Sequence, residues 1–243
     1  MSGILMASWM FSGAFVFNKT ISADTLNYNL RDDAIAAGWD GVKPLDATVT
    51  IASDIVVYAN NTANYAFDTG TTFPTGSKLT LVNNGYIIGM GGAGGSGLTP
   101  QGVGSAAGIG GPALRAQYPL AVTNYGTVGG GGGGGGGISY GSQVVGGGGG
   151  RSGRTNAPAG ATSTVWPNFF ATDGTFLAPG IGVNMNPGQD YGGNGGDWGT
   201  SGTKGKTTYG DSPVMVGGAA GAAVVGNSFI TWLATGTLLG ALT

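Results

Sequence analysis

Nine consecutive glycines, Gly129–Gly137, constrain the fold of this chain more than any other stretch. A glycine run normally indicates a flexible linker, because glycine loses the most backbone freedom on ordering and has no side chain to bury. Extended polyproline-II segments, with about three residues per turn, instead require glycine where they pack closely side by side. The N–H and C=O groups of neighbouring segments then pair with each other. Shorter glycine-rich tracts lie at 89–97, 102–111, 146–153, 192–199 and 217–226.

The tracts predict a bundle of about six glycine rods joined by loops. Of the 243 residues, 54 are glycine, yet 41% are apolar and only 8% are charged. Disordered chains have the opposite composition, poor in apolar residues and rich in charge. The sequence therefore indicates an ordered chain, of a length that fits one domain or two small ones.

The charge pattern excludes several classes of function. The net charge is −2 and the nine basic residues are scattered, so nucleic acid is not an expected partner. The chain has no Cys, hence no thiol site, and no His, the commonest general base and metal ligand. Catalysis would then need paired carboxylates, but the eleven acids are dispersed. We expect no enzyme activity, no cofactor and no metal site.

Three motifs match known ligand sites only in part. GMGGAG at 89–94 has the letters of a dinucleotide fingerprint, but that fingerprint needs a helix opening at its last glycine. GKT at 205–207 lacks the correctly spaced first glycine of a P-loop. GGNGGD at 192–197 resembles one calcium-binding nonapeptide, but a single copy lacks the stacked neighbours that complete such a site.

Two uncharged stretches, 1–18 and 212–243, raise the question of a membrane. The first has no basic region of the kind that begins a signal peptide. The second is interrupted by Gly and Thr, whereas a spanning helix needs about 20 mostly apolar residues. We expect packed termini and buried strands, with no membrane insertion.

Four local elements are predicted ahead of the first tract. Asn27–Gly38 is expected to form a short helix, with acids near its start and a glycine as its stop. Thr48–Ala59 and Lys78–Ile88 are predicted strands, the first with a kink at Ser53–Asp54. Phe73–Gly76 is a predicted turn.

An internal repeat connects the strands to the tracts. The segment from Leu79 runs into the first tract, and 41 positions later a similar segment from Leu120 runs into the longest one. Each unit is a strand, an Asn-x-Gly turn and a rod, so stacking would pair strand with strand and rod with rod. The matching positions are Leu79, Leu81, Asn83, Gly85 and Ile87 with Leu120, Val122, Asn124, Gly126 and Val128.

A parity argument then places the loops: the number of rods that the chain has followed, odd or even, decides at which end of the bundle the next loop lies. If both strands enter their rods from the same end, the chain must return between them along 102–111. This places 98–101 and 138–145 at the far end of the bundle and 112–119 at the near end. The predicted fold class is mostly β and irregular. It comprises a small N-terminal α+β attachment region at 1–88 and a glycine-rich bundle at 89–243 with variable loops and C-terminal strands.

The aromatic loop Val165–Phe170, together with Phe176, allows two interpretations. Exposed aromatic residues on a rigid scaffold are typical binding anchors. The same residues could form a hydrophobic mini-core beside a bundle that lacks side chains. Parity places the chain at the near end after Gly153, which favours the structural interpretation, and 181–188 is too irregular to assign as a rod.

Five stretches carry a family resemblance: NYNLRDDAIAAGWDG, FPTGSKLTLVNNGYIIGMGGAGG, GGPAL, the polyglycine run and AVVGNSFITW. The chain resembles glycine-rich tail proteins of tailed bacteriophages, especially the receptor-recognising adhesins at the fibre tips of T-even-type phages. The resemblance implies a sandwich of polyglycine-II rods in the extracellular virion tail. Its variable loops would contact a bacterial receptor, either an outer-membrane protein or a surface polysaccharide. Its N-terminal part would dock onto another tail or fibre protein, and a homo-oligomer is left open.

The candidate receptor-binding residues lie in the connecting loops. Arg151 and Arg154 would meet phosphate or sugar acids on a cell surface, or merely keep the bundle soluble. The rival hypothesis is a purely structural virion protein, such as a tail or baseplate connector or a capsid decoration; exchanging loops between related phages separates the two. The candidates are Leu98, Thr99, Gln101, Ile138, Tyr140, Gln143, Arg151, Arg154, Trp166, Phe169 and Phe170.

Overall fold

Short strands follow one another along much of the chain. The structure is a computed structural model, and it describes residues 13–98, 104–140, 143–154, 158–163, 170–186, 189–208 and 214–243. These residues include one α-helix, α1 (Leu30–Ala36), and a 3₁₀ turn at Asn227–Phe229. The predicted class, mostly β, is confirmed. The strands are β1 (Phe15–Ile21), β2 (Thr25–Leu26), β3 (Tyr28–Asn29), β4 (Leu45–Ile51), β5 (Val56–Tyr58), β6 (Phe67–Asp68), β7 (Lys78–Asn83), β8 (Tyr86–Ile88), β9 (Leu114–Arg115), β10 (Leu120–Asn124), β11 (Thr127–Gly129), β12 (Ile138–Tyr140), β13 (Gln143–Val145), β14 (Asn184–Asn186), β15 (Asp190–Tyr191), β16 (Val224–Val225), β17 (Ile230–Ala234) and β18 (Thr237–Leu239).

Three parallel sheets contain most of these strands. Sheet A has the order β1-β4-β7-β10-β17, sheet B the order β2-β5-β8-β11-β18, and sheet C the order β3-β6-β9-β16. The chain visits A, B and C in turn and then begins again, so successive passes stack as coils of a parallel β-helix. In the last pass Leu242 makes a parallel bridge to Val224 beside sheet C.

The interior of the β-helix is apolar because alternate residues of its long strands face inward. Every second residue of β4, from Leu45 to Ile51, is fully buried, as expected for a strand with one face on a core. One hydrophobic cluster runs through the coils from Phe17 to Val224. β17 lies in sheet A with β1, β4 and β7, and β18 lies in sheet B with β2, β5 and β8, so strands from both predicted regions share sheets. The division at residue 88 stays a prediction.

The predicted internal repeat is confirmed as neighbouring coils. β7 and β10 pair in parallel with Leu79 beside Leu120 and Asn83 beside Asn124, and β8 pairs with β11. The two asparagines are buried at a corner of the coils, where Asn83 Nδ2 donates to Asn124 Oδ1 at 2.8 Å. Asn124 Nδ2 in turn donates to the carbonyl of Thr235 in the next coil at 2.6 Å.

The predicted strands were too long, since each one turns a corner. The kink at Ser53–Asp54 separates β4 in sheet A from β5 in sheet B, and Asp54 has φ of 63°. Likewise the chain passes from β7 to β8 at Gly85, where an added Cβ would lie 2.3 Å from the carbonyl oxygen of Ile55. The helix prediction is confirmed with narrower bounds; Asn29 caps α1 by accepting from Asp32 N at 3.1 Å.

The glycine tracts leave the β-helix twice. One excursion, 89–113, lies between β8 and β9, and the other, 130–223, lies between β11 and β16. Within them, extended segments run side by side, and we call each such segment a rod. The central rod, 129–137, is joined by backbone hydrogen bonds to six others: 89–97, 104–111, 146–152, 192–199, 200–205 and 214–222.

The central rod has a three-residue period. Its N–H groups at 131 and 134 donate to the 104–111 rod, those at 132 and 135 to the 146–152 rod, and those at 133 and 136 to the 200–205 rod, all at 2.8–3.0 Å. Its carbonyls accept from the other three rods with the same period. A Cβ added anywhere from Gly130 to Gly137 would lie 1.8–2.4 Å from neighbouring backbone. Close approach therefore explains why this run is glycine throughout.

Three further rods, like the one at 200–205, were not predicted. Ala161 N donates to Gly147 O, Gly174 N to Pro158 O and Gly180 N to Gly149 O. The rods at 158–163, 170–174 and 178–183 therefore extend the set. Ile181–Val183, judged too irregular from the sequence, belongs to the last of them. Val183 N donates to Gly146 O and the carbonyl of Ile181 accepts from Thr172 N, while the N–H groups of Ile181 and Gly182 donate to side-chain oxygens.

Candidate functional site

The rods turn at two ends, and one end gathers most of the connecting segments. We call it the distal end: Leu98, the β12–β13 hairpin, Ser163, Phe170 and Ala171, the β14–β15 hairpin, and 206–208 with Val214. A small core of Ile138, Val145, Ala171 and Val183 lies beneath these segments. The parity argument is confirmed for Leu98 and 138–145, because Ser139 Oγ donates to the carbonyl of Leu98.

Hydrogen bonds fix the β12–β13 hairpin to its neighbours. Ile138 pairs with Val145 inside the hairpin and makes an antiparallel bridge to Val214. On the other side Ser163 Oγ donates to the carbonyl of Val144 at 2.8 Å. The distal segments are thus braced against one another rather than independent.

Some of the predicted receptor-binding residues lie at the distal end. Leu98 and Gln143 are half-buried, and Phe170 is 65% exposed. Tyr140 pairs with Gln143 at the tip of the hairpin. The prediction that Ile138 contacts the receptor was wrong. Ile138 is fully buried in the distal core, because its side chain fills the space between the hairpin and neighbouring rods. Thr99, Gln101, Trp166 and Phe169 lie outside the described residues.

Arg151 and Arg154 were also predicted to bind the receptor, but they lie at the opposite end of the rods, against the β-helix. Arg151 Nη1 bonds Asp197 Oδ1 at 2.7 Å, and its guanidinium stacks 3.6 Å from the centroid of Trp198. Arg154 Nε bonds Asp24 Oδ2 at 3.0 Å. Both cations are therefore paired within the chain: Arg151 joins two rods, and Arg154 fastens the rods to the first coil.

An aromatic cluster completes this junction. Phe176 packs edge-on against Tyr86 of sheet B at 5.4 Å between ring centroids, and lies 5.1 Å from Trp198. The mini-core interpretation is thus correct for Phe176. It does not extend to Phe170, which pairs with Thr162 at the distal end. The prediction that the chain stays at the near end after Gly153 was wrong for Phe170, because the 158–163 rod carries the chain back to the distal end.

Asp190 is a functional candidate that the sequence did not reveal. It is 4% exposed, and its carboxylate accepts from Thr208 N at 2.8 Å and from Thr207 Oγ1 at 2.9 Å. The hydrogen bond from Thr208 N and those from the hydroxyls lower the pKa of Asp190 below its usual value. Asp190 therefore fastens 207–208 to the β14–β15 hairpin. The sequence signal, one acid beside an irregular stretch, was too weak to find it.

The described residues contain no cluster of acidic side chains able to hold a metal ion. They also contain no helix with the length and apolarity needed to cross a bilayer.

Comparison with known proteins identifies the family. The sequence profile of the phage tail fibre adhesin Gp38 family matches residues 16–243. The chain belongs to this family. A solved structure, the gp37–gp38 adhesin tip complex of the bacteriophage S16 long tail fiber, contains a chain with 29% identity and a TM-score of 0.70; the match covers 95% of this chain and 82% of that one. Comparison with curated protein sequences gives no match.

The family resemblance seen in the sequence is therefore confirmed. The protein is a tail fibre adhesin of the virion with a role in host recognition.

Proposed function

We propose that the protein recognises its receptor through the distal end, which is held in place by a polyglycine-II bundle, and that it acts by binding rather than by catalysis. The three-residue period of the central rod and its six hydrogen-bonded neighbours support the polyglycine-II assignment. A bundle of this kind has no side-chain rotamers at its centre to reorganise, so loops fixed to it lose little entropy on binding.

One observation carries this proposal: the loops converge. Segments from five separate parts of the chain meet over the distal core of Ile138, Val145, Ala171 and Val183. Loops on a rigid scaffold are the usual place for recognition. A protein with a merely connecting role would need no such convergence of loops away from its β-helix.

The attachment side is proposed to be the first coil of the β-helix. β1, β2 and β3 are each the outermost strand of their sheet, so one edge of each strand has no partner in the described chain. Free strand edges are ready sites for pairing with another protein. The S16 neighbour is part of a complex with gp37, and we propose that a tail fibre protein occupies the corresponding place here.

Exchange of the distal segments tests the proposal. Replacing 98–104 and 138–145 together with those of a related adhesin is expected to transfer host range, measured as phage adsorption to each host. The same exchange of 112–119, which contains β9 of the β-helix and lies away from the distal end, serves as the control and is expected to leave host range unchanged. Unchanged adsorption after the distal exchange would favour the rival, a purely structural role.

A further inference from the structure

A groove on the side of the bundle adjoins the distal end. It has a volume of about 340 Å³ and lies between the rods at 178–183, 192–199 and 200–205. Its upper part is formed by the β14–β15 hairpin, so it is continuous with the proposed receptor-binding end. The lining residues are Ile181, Gly182, Asn184, Tyr191, Gly192, Asn194 and Thr203.

The walls of the groove are fixed by their own hydrogen bonds. Asn194 Oδ1 accepts from Gly182 N at 3.0 Å, and Asn194 N donates to Thr203 Oγ1 at 2.7 Å. The buried Asp190 in turn fastens the hairpin that carries Tyr191 to Thr208. The groove is therefore preformed, as small-molecule sites usually are.

The free groups in the groove are neutral. The exposed Asn184 side chain makes no hydrogen bond within the described part of the chain, so its amide donor and acceptor are available. Tyr191 adds a ring and a hydroxyl, and none of the lining side chains is charged. A charged ligand would lose hydration here without gaining a counter-charge.

We propose that this groove binds a neutral saccharide unit of a bacterial surface polysaccharide. A sugar ring presents an apolar C–H face, which suits the Tyr191 ring, and hydroxyls, which suit the amides of Asn184 and Asn194. The inference rests on the proposed adhesin function, to which it adds the class of ligand. A peptide with large apolar anchors fits less well, since Ile181 is the one large aliphatic side chain in the lining.

Binding of the purified full-length chain to cells of a host strain tests this assignment. The variants are Asn184→Ala and Tyr191→Ala, with Tyr125→Ala as the matched control, because Tyr125 is 70% exposed and lies in the turn between β10 and β11. Host cells are used untreated, after periodate oxidation of their glycans, or after protease treatment. Thermal unfolding of each variant checks the fold; if Tyr191→Ala unfolds, Tyr191→Phe with Asn184→Ala replaces it.

On untreated cells the two groove variants are expected to bind about tenfold more weakly, since each loses a hydrogen bond or a ring contact to the ligand. Tyr125→Ala should bind as the original chain does. Periodate should lower binding of the original chain to the level of the variants and change the variants little.

Two results would overturn the assignment. One is unchanged binding by both groove variants. The other is weaker binding by the variants together with sensitivity to protease but not to periodate, which would make the ligand a protein. A chain with exchanged distal segments, run in parallel, separates the two proposals. If it loses binding while the groove variants do not, only the saccharide site fails; if it binds normally, the proposed function itself fails.

Discussion

Individual residues in this protein matter for two opposite reasons: some positions tolerate no side chain, and a few polar side chains are buried because they connect loops. Gly134 stands for the first kind, since an added Cβ would lie 1.8 Å from the carbonyl oxygen of Ala93. Asp190 stands for the second. In both cases the effect of the residue comes from its contact with another segment of the chain.

Gly134→Ala is expected to destabilise the protein by about 3 kcal/mol or more, because the obstructing atoms are backbone and can move only if the rods separate. Gly13→Ala is the matched control, since nothing lies within 4 Å of its added Cβ; its effect should stay within about 0.5 kcal/mol. Urea unfolding followed by circular dichroism measures both. Equal midpoints for the two variants would show that the rods are not closely packed at Gly134.

Asp190 makes stability depend on pH. Its folded-state pKa is lowered, chiefly by the hydrogen bond from Thr208 N, whereas an unfolded Asp titrates near about 3.9. Its contribution is therefore complete above about pH 5 and is lost as pH falls through the folded-state pKa. Asp190→Asn removes this titration, so its unfolding free energy should be lower at pH 7 but fall less steeply below about pH 4 than that of the original chain. Unfolding curves at several pH values check this, and parallel slopes would contradict it.

At the scale of elements, the rod is the unusual unit, because an isolated rod has no internal hydrogen bond. From Gly131 to Gly136 the central rod obtains all its backbone pairing from six neighbouring rods. A strand at a sheet edge keeps half of its backbone groups free, but this rod has partners all round. Its order is thus a property of the bundle and not of its own sequence.

Hydrogen exchange should reveal this dependence directly. The amides of Gly131–Gly136 each donate to another rod, so they are expected to exchange only through global unfolding and to rank among the slowest in the chain. The amide of Val42, bonded to Asp40 Oδ1 in an exposed loop, is the comparison and should exchange orders of magnitude faster. Fast exchange of the glycine amides would mean that the run behaves as a linker.

Sequence alone could predict the elements whose evidence is local or repeated. The 41-residue repeat located the pairs Leu79–Leu120 and Asn83–Asn124, because buried positions recur with the coil. The kink at Ser53–Asp54 and the Asn-x-Gly turn at Gly85 were predicted, but not as corners between two sheets, since a short corner barely interrupts the apolar pattern. Arg151 was wrongly chosen as a receptor-binding candidate because its partner Asp197 lies 46 residues away, and the glycines before Arg151 give no sign of that pair.

At the scale of the whole molecule, the β-helix and the rods share hydrogen-bond ladders. The β8–β11 ladder continues into the rods through Gly89 N and Gly129 O at 2.9 Å. The returning rods enter sheet C through Ala113 N and Ala222 O at 3.0 Å. The Arg154–Asp24 ion pair adds a contact outside the ladders; being about half exposed, it contributes at most about 1 kcal/mol. A mechanical force applied to the distal end would thus be transmitted to the coils through these continuous backbone ladders.

Because the ladders cross the boundary uninterrupted, the protein is expected to unfold in one cooperative transition. Asn124→Ala removes two side-chain hydrogen bonds inside the β-helix, from Asn83 Nδ2 and to the carbonyl of Thr235. Gly134→Ala forces rods apart in the bundle. Each should lower the midpoint of the same thermal transition by several degrees, and calorimetric and van't Hoff enthalpies should agree in both. The opposite outcome is two transitions, with Asn124→Ala shifting one and Gly134→Ala the other. In that case the distal end could loosen independently of the coils, and the rigid scaffold on which the proposed receptor binding rests would be lost.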